Sequence, residues 1–253
     1  MKLKNADWYK NNWTLDIKNQ SWVEESEKQV DFIIDTLSLN GKERILDLAC
    51  GFGRHSLVFA RKGFSVVGVD ITKDYIEDAV NSAKEYSANV EFIHSDIREL
   101  QFKNEFDVVL NLADGAIGYL ENDEENLKIF DVIANALRPG GKHFMDICNA
   151  EHAEHYFPKN CWDMGAKALS LSEFDWDKKK RRMLFGGCEI IFGEIAQKPE
   201  PFEADSIRLY SKTELEAILQ KRQMSIINTF SNYSGKEASY KELQLMVYSV
   251  KNK

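Results

Sequence analysis

Two glycines one position apart follow a short apolar run in the stretch LDLACGFGRHS, residues 46–56. Gly51 and Gly53 permit a close approach of the backbone to a ligand, because glycine has no side chain to block it. The order G-x-G-x-x followed by Ser56 only partly matches the dinucleotide-binding turn, whose third small position is glycine or alanine. This stretch alone leaves open a nicotinamide site, another nucleoside site or an ordinary loop.

Acidic residues stand at or near the carboxyl ends of the first three predicted strands and could hold different parts of one ligand. Asp47 stands just ahead of the glycines, where it disfavours an anionic pyrophosphate and suits a ligand that carries a cation. Asp70 lies nineteen residues after Gly51, near the spacing of a carboxylate that binds ribose hydroxyls. Asp96 could accept a hydrogen bond from an adenine amine. Each aspartate alone also suits a helix cap or a turn, so their joint placement carries the argument.

Charge and cysteine usage restrict the class of protein. The chain has 253 residues and a formal net charge of −8, which disfavours nucleic acid as the main partner. No apolar run approaches the roughly 20 residues that span a bilayer, and the first residues lack the apolar core of a signal peptide. The four cysteines are scattered, as expected for reduced thiols. We therefore expect a cytoplasmic protein with no membrane partner, either a monomer or a homodimer.

One cluster of residue types could bind a metal ion. Cys148, His152, His155 and Cys161 fall within fourteen positions. Their spacing, C-x3-H-x2-H-x5-C, matches no common zinc site, and Cys148 ends an apolar run typical of a strand. We expect no metal site.

Strands and helices must alternate to position these aspartates. The predicted strands are residues 44–48, 65–70, 90–94, 106–112 and 142–148, and the helices between them include 55–62, 72–86 and one capped by Asn122 and Glu125. Before them, Ser21 and Glu24 suggest a capping box that begins a helix ending near Leu37. Strand–helix alternation with continuous apolar strands predicts a parallel sheet covered on both faces, which binds ligands at the carboxyl ends of its strands.

The pattern changes near residue 160. Residues 168–194 alternate apolar and polar side chains around the charged turn 177–180, which predicts an antiparallel hairpin. A connector over 196–206 contains Pro199 and Pro201. A capping box at Ser211 and Glu214 then begins another helix, followed by two strands near 224–230 and 243–250. We predict four parts: a lid and helix (1–40), a ligand-binding core (41–160), a hairpin insertion over the substrate site (161–206) and a C-terminal helix and strands (207–253).

The stretches from Ile45 to Thr72, SDIREL, FDVVLNLADGAIGYL and LRPGGKHFMDI resemble the successive motifs of class I S-adenosylmethionine-dependent methyltransferases. A bacterial small-molecule subgroup is also similar in its D-L-x-C-G-x-G-R-H loop, its GYL segment and a hairpin insertion before an RLYS helix. The resemblance implies a Rossmann-like, doubly wound sheet of seven mostly parallel strands, the last antiparallel, with an inserted antiparallel β-hairpin. It also implies S-adenosyl-L-methionine as cofactor and S-adenosyl-L-homocysteine as product.

The resemblance assigns the Asp47 and glycine-turn region to the methionine part of the cofactor, Asp70 to the ribose and Asp96 with Ile97 to adenine. Asn111 and Leu112 would line the sulfonium region, and an aromatic segment with Tyr9 would act as a lid. The full set of implied cofactor residues is Tyr9, Asp47, Ala49, Cys50, Gly51, Gly53, Arg54, Asp70, Ile71, Asp96, Ile97, Asn111 and Leu112.

The acceptor side is less constrained by the sequence. Methyl transfer from a sulfonium mainly requires alignment of the acceptor and exclusion of water, and a base only where the acceptor is protonated. The candidates near the acceptor are His55, Asp114, Tyr119, Arg208 and Tyr210. We expect four hairpin residues, Phe174, Trp176, Met183 and Phe185, to form the hairpin's own core.

These patterns predict transfer of a methyl group to a nitrogen or oxygen of a small molecule. Two alternatives remain open at this point. The first is a cofactor-binding protein without methyl transfer, either a regulator or a user of a modified cofactor. The second is an NAD-dependent oxidoreductase, against which Asp47 and Ser56 count.

Overall fold

A seven-stranded sheet forms the centre of the computed structural model, which describes residues 2–86, 89–195 and 203–253. Numbered along the chain, its strands are β2 (Arg44–Leu48), β3 (Ser65–Asp70), β4 (Val90–His94), β5 (Phe106–Asn111), β6 (Leu137–Cys148), β11 (Met224–Phe230) and β12 (Gln244–Lys251). Their order is β11-β12-β6-β5-β2-β3-β4, and β12 alone runs antiparallel to its neighbours. The predicted mostly parallel sheet with an antiparallel last strand is confirmed.

Helices cover both faces of this central sheet. They are α1 (Ser26–Leu37), α2 (Arg54–Arg61), α3 (Lys73–Tyr86), α4 (Asp123–Ala136), α5 (Ala150–Tyr156) and α6 (Lys212–Gln220). Successive strand residues point to opposite faces, so Ile45 packs in a cluster with Phe59 of α2, whereas Leu46 packs in a second cluster with Phe130 of α4. The two clusters form the apolar layers above and below the sheet.

Two of the predicted helix starts are confirmed and one is wrong. Asn122 accepts a hydrogen bond from the backbone N–H of Glu125, and Ser211 forms the full capping box with Glu214. The first helix begins at Ser26 instead of Ser21, because Ser21–Glu25 forms a 3-10 turn. The tighter turn there comes directly before the apolar positions of α1.

A second, five-stranded sheet covers one end of the core. Its strands are β1 (Lys2–Leu3), β7 (Lys159–Met164), β8 (Ala168–Asp177), β9 (Arg182–Ile191) and β10 (Glu203–Arg208). Their order is β1-β10-β9-β8-β7. The predicted hairpin is confirmed as β8 and β9, but it forms only the middle of this larger sheet. Part of the predicted connector, residues 203–206, belongs to β10, and Pro199 and Pro201 lie outside the described residues.

The N-terminal segment joins this cover to the core. The backbone N–H of Lys4 donates to the carbonyl of Ala204 in β10 at 3.0 Å, beside the parallel pairing of β1 with β10. Farther along, the carbonyl of Thr14 accepts a hydrogen bond from Tyr75 Oη of α3 at 2.9 Å. Short 3-10 helices connect these points, and Trp8 and Tyr9 on the first of them are buried. The segment therefore crosses the space between the two sheets.

Candidate functional site

A cavity of about 1480 Å³ lies between the two sheets. One side of it consists of the loops that follow β2, β3, β4 and β5 and of the end of β6, at the carboxyl ends of the parallel strands, where open α/β sheets bind ligands. The N-terminal segment and residues of β8, β9 and β10 form the other walls. Small-molecule sites usually measure up to about 1,000 Å³, so this cavity has the volume for a cofactor with a second small molecule beside it.

The glycine turn after β2 presents its backbone to the cavity at Gly51. This residue has φ +58°, and a Cβ there would meet nothing nearer than the Tyr75 ring at 3.8 Å. Gly53 has φ +77° and immediately precedes α2, but it does not line the cavity. A Cβ at Gly53 would lie 2.6 Å from Cζ of Phe92. Contrary to the cofactor contact predicted for Gly53, this glycine serves the packing of the turn against β4.

Two buried carboxylates lie beside this turn. Asp70 accepts hydrogen bonds from the backbone N–H groups of Gly51 and Thr72, both at 2.8 Å. One bond to each oxygen leaves acceptor capacity on both, because a carboxylate has about four lone-pair sites. Asp47 accepts from Ser56 Oγ at 2.6 Å, and burial raises the pKa of its carboxyl to about 6. Both aspartates line the cavity and can accept further hydrogen bonds there.

An arginine engages the Asp96 carboxylate. Arg98 donates from Nε to Oδ1 at 3.0 Å and from Nη2 to Oδ2 at 2.5 Å. The same guanidinium donates to Glu121 at 3.2 Å, to Glu125 at 2.7 Å and to Tyr9 Oη at 3.2 Å. Burial alone would raise the pKa of Asp96, but the bonds from Arg98 outweigh it and lower the pKa. This network, which attaches the N-terminal segment to the loop after β4, was not predicted from the sequence.

Asn111 does not line the cavity, although Leu112 beside it does. Its side chain is fully buried, with Nδ2 donating to the carbonyl of Gly115 at 2.9 Å and Oδ1 3.2 Å from Nε2 of His143. The amide therefore fastens the loop after β5 to β6. This position differs from the predicted place of Asn111 in the sulfonium region.

Arg54 and His55, at the start of α2, share one partner in α1. Arg54 Nη1 donates to Gln29 Oε1 at 2.7 Å, and His55 Nε2 lies 2.7 Å from the same oxygen. Burial, together with the charge of Arg54, lowers the pKa of His55 well below its usual range, so the imidazole is neutral. Both side chains line the cavity. A neutral imidazole bonded to a glutamine explains His55 as a packed, positioned residue of the wall.

Asp114 and three aromatic rings form the far end of the cavity. Tyr119 Oη donates to Asp114 Oδ2 at 3.2 Å, and the backbone N–H of Cys148 donates to Oδ1 at 3.1 Å. The Tyr119 ring centre lies 5.2 Å from that of Trp8 and 6.0 Å from that of Trp13. Burial raises the pKa of both Asp114 and Tyr119. The structure thus brings two of the predicted acceptor candidates together in one wall.

Arg208 and Tyr210, the other acceptor candidates, do not line the cavity. Arg208 Nη2 donates to Glu214 Oε1 at 2.6 Å, and its guanidinium lies 4.5 Å from the centre of the Tyr210 ring. The Tyr210 ring in turn packs edge-on against Phe130 of α4. Both side chains join β10 to α4 and α6. They therefore lie away from the cavity, and their predicted place near the acceptor is wrong.

Several cavity residues had no place in the sequence prediction. Asp146 of β6 accepts hydrogen bonds from Tyr233 Oη at 2.8 Å and from Gln244 Nε2 at 2.6 Å, and burial raises its pKa to about 6. Lys4 and Asp205 form an ion pair at 2.8 Å across the N-terminal segment and β10. Asp146 could have been found from the sequence, because it is a charged residue inside the apolar strand KHFMDIC. Its partners Tyr233 and Gln244 stand in no pattern that marks them as site residues.

The hairpin side chains have a double role. Phe174, Met183 and Phe185 line the cavity and also pack against the main apolar cluster, whereas Trp176 packs without lining the cavity. Among residues 2–86, 89–195 and 203–253, no group of three or more His, Cys, Asp or Glu is arranged to hold a metal ion. None of the helices in this part of the chain is long and apolar enough to cross a membrane.

The central region of the chain is similar in sequence to known methyltransferases. Residues 45–141 match the model of a family described as a methyltransferase domain. YqeM of Bacillus subtilis (strain 168), a methyltransferase by name, is 33% identical over 122 residues, which cover 48% of this chain and 49% of that protein. The chain spans about half the length of such curated relatives.

Solved structures share the fold over nearly the whole chain. An S-adenosylmethionine-dependent methyltransferase from Clostridium acetobutylicum ATCC 824 has a TM-score of 0.74 at 19% identity, covering 90% of this chain and 92% of that one. The CcbJ methyltransferase from Streptomyces caelestis has a TM-score of 0.76 at 14% identity, covering 98% and 96%. At these identities the similarity concerns the fold alone.

Proposed function

We propose that the chain, whose residues 45–141 match a methyltransferase domain, is a class I S-adenosylmethionine-dependent enzyme that transfers a methyl group to a nitrogen or oxygen of a small molecule. The observation that carries the proposal is the shared cavity. One space of about 1480 Å³ borders the glycine turn, Asp70 at the end of β3, Asp96 after β4, and a second group of polar and aromatic residues after β5. A donor and an acceptor can meet only in such a common space.

The residues around the turn fit S-adenosyl-L-methionine. Asp70 keeps spare acceptor capacity for two hydroxyls after bonding Gly51 and Thr72. Gly51 lines the cavity and has no side chain, so a ligand can approach its backbone closely. The nearest protein atoms to a Cβ built there belong to the Tyr75 ring, at 3.8 Å. Asp47 places a second buried carboxylate at the turn, which suits a ligand with a positive charge and disfavours a pyrophosphate. This combination favours the sulfonium cofactor over a nicotinamide dinucleotide.

We assign the parts of the cofactor accordingly. Asp70 and Ile71 would hold the ribose, Asp96 and Ile97 the adenine, and Tyr9 would cover them from the N-terminal segment. The methionine part would lie against Asp47, Ala49, Cys50, Gly51, Arg54 and Leu112, all of which line the cavity. When bound, the cofactor supplies a methyl group already activated by the positive sulfur. Gly53 and Asn111 would act on this site only through the turn and loop that they position.

The protein's own contribution is alignment and exclusion of water. The N-terminal segment closes one side of the cavity through Trp8 and Tyr9, which are 7% and 3% exposed. Phe174, Met183 and Phe185 present an apolar wall from the cover. Burial in such a wall strengthens the interaction of Asp114 and its neighbours with a polar group of the acceptor. A nucleophile held in this way loses little further translational and rotational entropy when it reaches the transition state.

A small-molecule acceptor is supported by the shape and charge of the site. The cavity is bordered by the N-terminal segment and the cover, and the net charge of −8 disfavours nucleic acid. Four free cysteines support a reducing, cytoplasmic location. We further propose that the chain acts without a membrane or metal and as a monomer or homodimer.

Calorimetry with S-adenosyl-L-homocysteine tests the proposal directly. We expect binding in the micromolar range by the folded protein, and no comparable change in NADH fluorescence on mixing with the protein. Folded protein that binds NADH and leaves S-adenosyl-L-homocysteine unbound would overturn the proposal. Transfer of a labelled methyl group to an added acceptor would separate an enzyme from a protein that only binds the cofactor.

A further inference from the structure

Asp114 differs from the paired carboxylates of the cavity in its surroundings. Asp96 is paired with Arg98, and Asp205 is paired with Lys4 at 2.8 Å. In the described part of the chain, no lysine, arginine or histidine nitrogen lies within 4.0 Å of Asp114, whose partners are the Tyr119 hydroxyl and the Cys148 N–H. An ionised carboxylate removed from water is costly without a countercharge. Its position therefore favours a ligand that brings a positive charge.

Five other cavity carboxylates also lack an ion pair in the described part of the chain, but their positions differ. Asp16 and Glu189 are exposed to water, so their charges need no countercharge from a ligand. Asp47 and Asp70 flank the glycine turn, on the side assigned to the cofactor. Asp146 is 5% exposed, and side chains already donate to both of its oxygens. Asp114 is only half-buried and borders the cavity, so a ligand can reach its carboxylate. Among these six, Asp114 is the partly buried carboxylate available at the acceptor end.

Aromatic rings beside Asp114 favour the same kind of ligand. The Tyr119 ring packs with Trp8 and lies nearly parallel to Trp13, at an interplanar angle of 15°. The faces of such rings attract cations. Lys4 Nζ lies 5.9 Å from the Trp8 ring centre, but Asp205 already neutralises this lysine. The rings and the apolar wall of the cover would also accommodate the hydrocarbon part of an acceptor.

We propose that the methyl acceptor is an amine, which enters as an ammonium ion and is held by Asp114 beside the rings of Trp8, Trp13 and Tyr119. This inference rests on the proposed methyl transfer. The nitrogen gives one proton to the Asp114 carboxylate, its lone pair forms the bond to the methyl carbon, and the pair of the broken C–S bond stays on sulfur. The burial that raises the pKa of Asp114 favours its role as the proton acceptor. A carboxylate or phosphate acceptor would instead meet an unpaired negative charge.

Matched probe sets test this choice of acceptor. The protein is first saturated with S-adenosyl-L-homocysteine and then titrated calorimetrically with 2-phenylethylamine, 2-phenylethanol and phenylacetate, and likewise with butylamine, butanol and butyrate. In at least one set we expect the amine to bind about tenfold or more tightly than its alcohol and its acid, as a charge-assisted hydrogen bond implies. An alcohol or acid that binds as well as the amine, or no amine binding at all, overturns the inference.

Two variants locate the preference. Asp114→Asn should lose the preference for the amine while it still binds S-adenosyl-L-homocysteine like wild type. Asp35→Asn is the matched control, because Asp35 is an exposed residue of α1 that does not line the cavity. An amine preference that survives in folded Asp114→Asn would contradict the role of Asp114. Should that variant fail to fold, the wild-type comparison still decides between the acceptor classes.

The first step of the titration separates this inference from the proposed function. Failure of wild-type protein to bind S-adenosyl-L-homocysteine would strike at the methyltransferase proposal before any amine is added. Normal binding of S-adenosyl-L-homocysteine without amine preference would leave that proposal intact and remove only the acceptor assignment.

Discussion

The two sheets that enclose the cavity are built in different ways. In the core sheet, β2 to β6 come from residues 44–148, and a helix or a short loop connects each strand to the next. In the cover, β1 pairs with β10 about 200 positions farther along the chain, although β8 and β9 form a simple hairpin. The core side of the cavity thus depends on local turns, whereas the cover side depends on contacts between distant segments.

Because of this difference, the two halves of the site should respond differently to substitutions in the core and in the cover. The cofactor half rests on the glycine turn and on Asp70, which bonds the backbone of that turn directly. The acceptor half needs the loop after β5, the N-terminal segment and the cover to meet around Asp114. Disruption of the cover should therefore affect the acceptor more than the cofactor.

The largest effect is expected where the two sheets meet. Gly118 has φ +90°, and a Cβ there would lie 2.0 Å from the carbonyl oxygen of Arg208 in β10. Gly118→Ala should lower the free energy of unfolding by more than about 3 kcal/mol, because a backbone clash adds to the strain of positive φ. Urea unfolding measures this change.

The control for this variant is Gly41→Ala. Gly41 has φ +87°, and its Cβ would have nothing within 4 Å. It should lose only about 1–2 kcal/mol from backbone strain. Equal losses in the two variants would show that the contact between Gly118 and Arg208 does not hold the cover to the core.

A smaller effect is expected for cofactor binding when Asp70 loses its charge. Asp70→Asn should weaken the binding of S-adenosyl-L-homocysteine about 30- to 100-fold, because an amide is a weaker acceptor for the ribose hydroxyls than a carboxylate. Asp114→Asn, in the other half of the cavity, should leave this affinity within about twofold of wild type. Calorimetry compares the two, and a larger loss in Asp114→Asn would reverse the assignment of the two halves.

The pH dependence of stability should report on Asp146. Burial raises its folded-state pKa to about 6, while Tyr233, Gln244 and Arg54 favour its charged form and Asp114 opposes it. A raised folded-state pKa contributes stability that is present below the unfolded-state value near 4 and is lost as the pH rises through 6. In wild type this contribution therefore falls by about 2 kcal/mol between pH 4 and pH 7.

Asp146→Asn tests this assignment, because an asparagine does not titrate in this range. We expect a flatter dependence of the free energy of unfolding on pH than in wild type, measured by urea denaturation at each pH. Identical slopes in the two proteins would mean that Asp146 is not the group responsible. Asp47, with a pKa also raised to about 6 by burial, contributes a similar fall that the variant retains.

The smallest effect is expected at the ion pair between the N-terminal segment and the cover. Lys4→Met combined with Asp205→Asn removes the pair without leaving an unpaired carboxylate, because the Asp205 side chain is only 10% exposed, whereas the lysine side chain is 31% exposed. Such partly exposed pairs contribute about 1 kcal/mol or less to stability. The midpoint of thermal unfolding should fall only slightly. A fall as large as that of Gly118→Ala would mean that this ion pair, and not the contact at Gly118, mainly holds the cover to the core.

Sequence patterns predicted the core better than the cover for a physical reason. The apolar runs of β2 and β3, the cap at Asn122 and the box at Ser211 depend on neighbours within a few residues, and the structure has them where predicted. The pairing of β1 with β10 depends on segments far apart in the chain. A two-residue strand such as β1 has too few residues to show any alternation.

The candidate site divides along the same line. Asp47, Asp70 and Asp96 were found because each stands at or near the carboxyl end of its own strand, and all three line the cavity. The side-chain partners of the site were not found, since Arg98 bridges to Tyr9 and Asp146 bonds Tyr233 only in the folded chain. Arg208 and Tyr210 alternate as a substrate-facing pair would, yet they pack on α4 and α6. Alternation identifies a shared face but not what that face meets.

The parallel pairing of β1 with β10 also sets an order of events during synthesis. The residues of β1 leave the ribosome some 200 residues before those of β10. At about 5–20 residues per second, β1 waits roughly 10–40 s for its partner. The first residues of the chain are therefore among the last to find their place, and the acceptor end closes only after β2 to β6 have all been made.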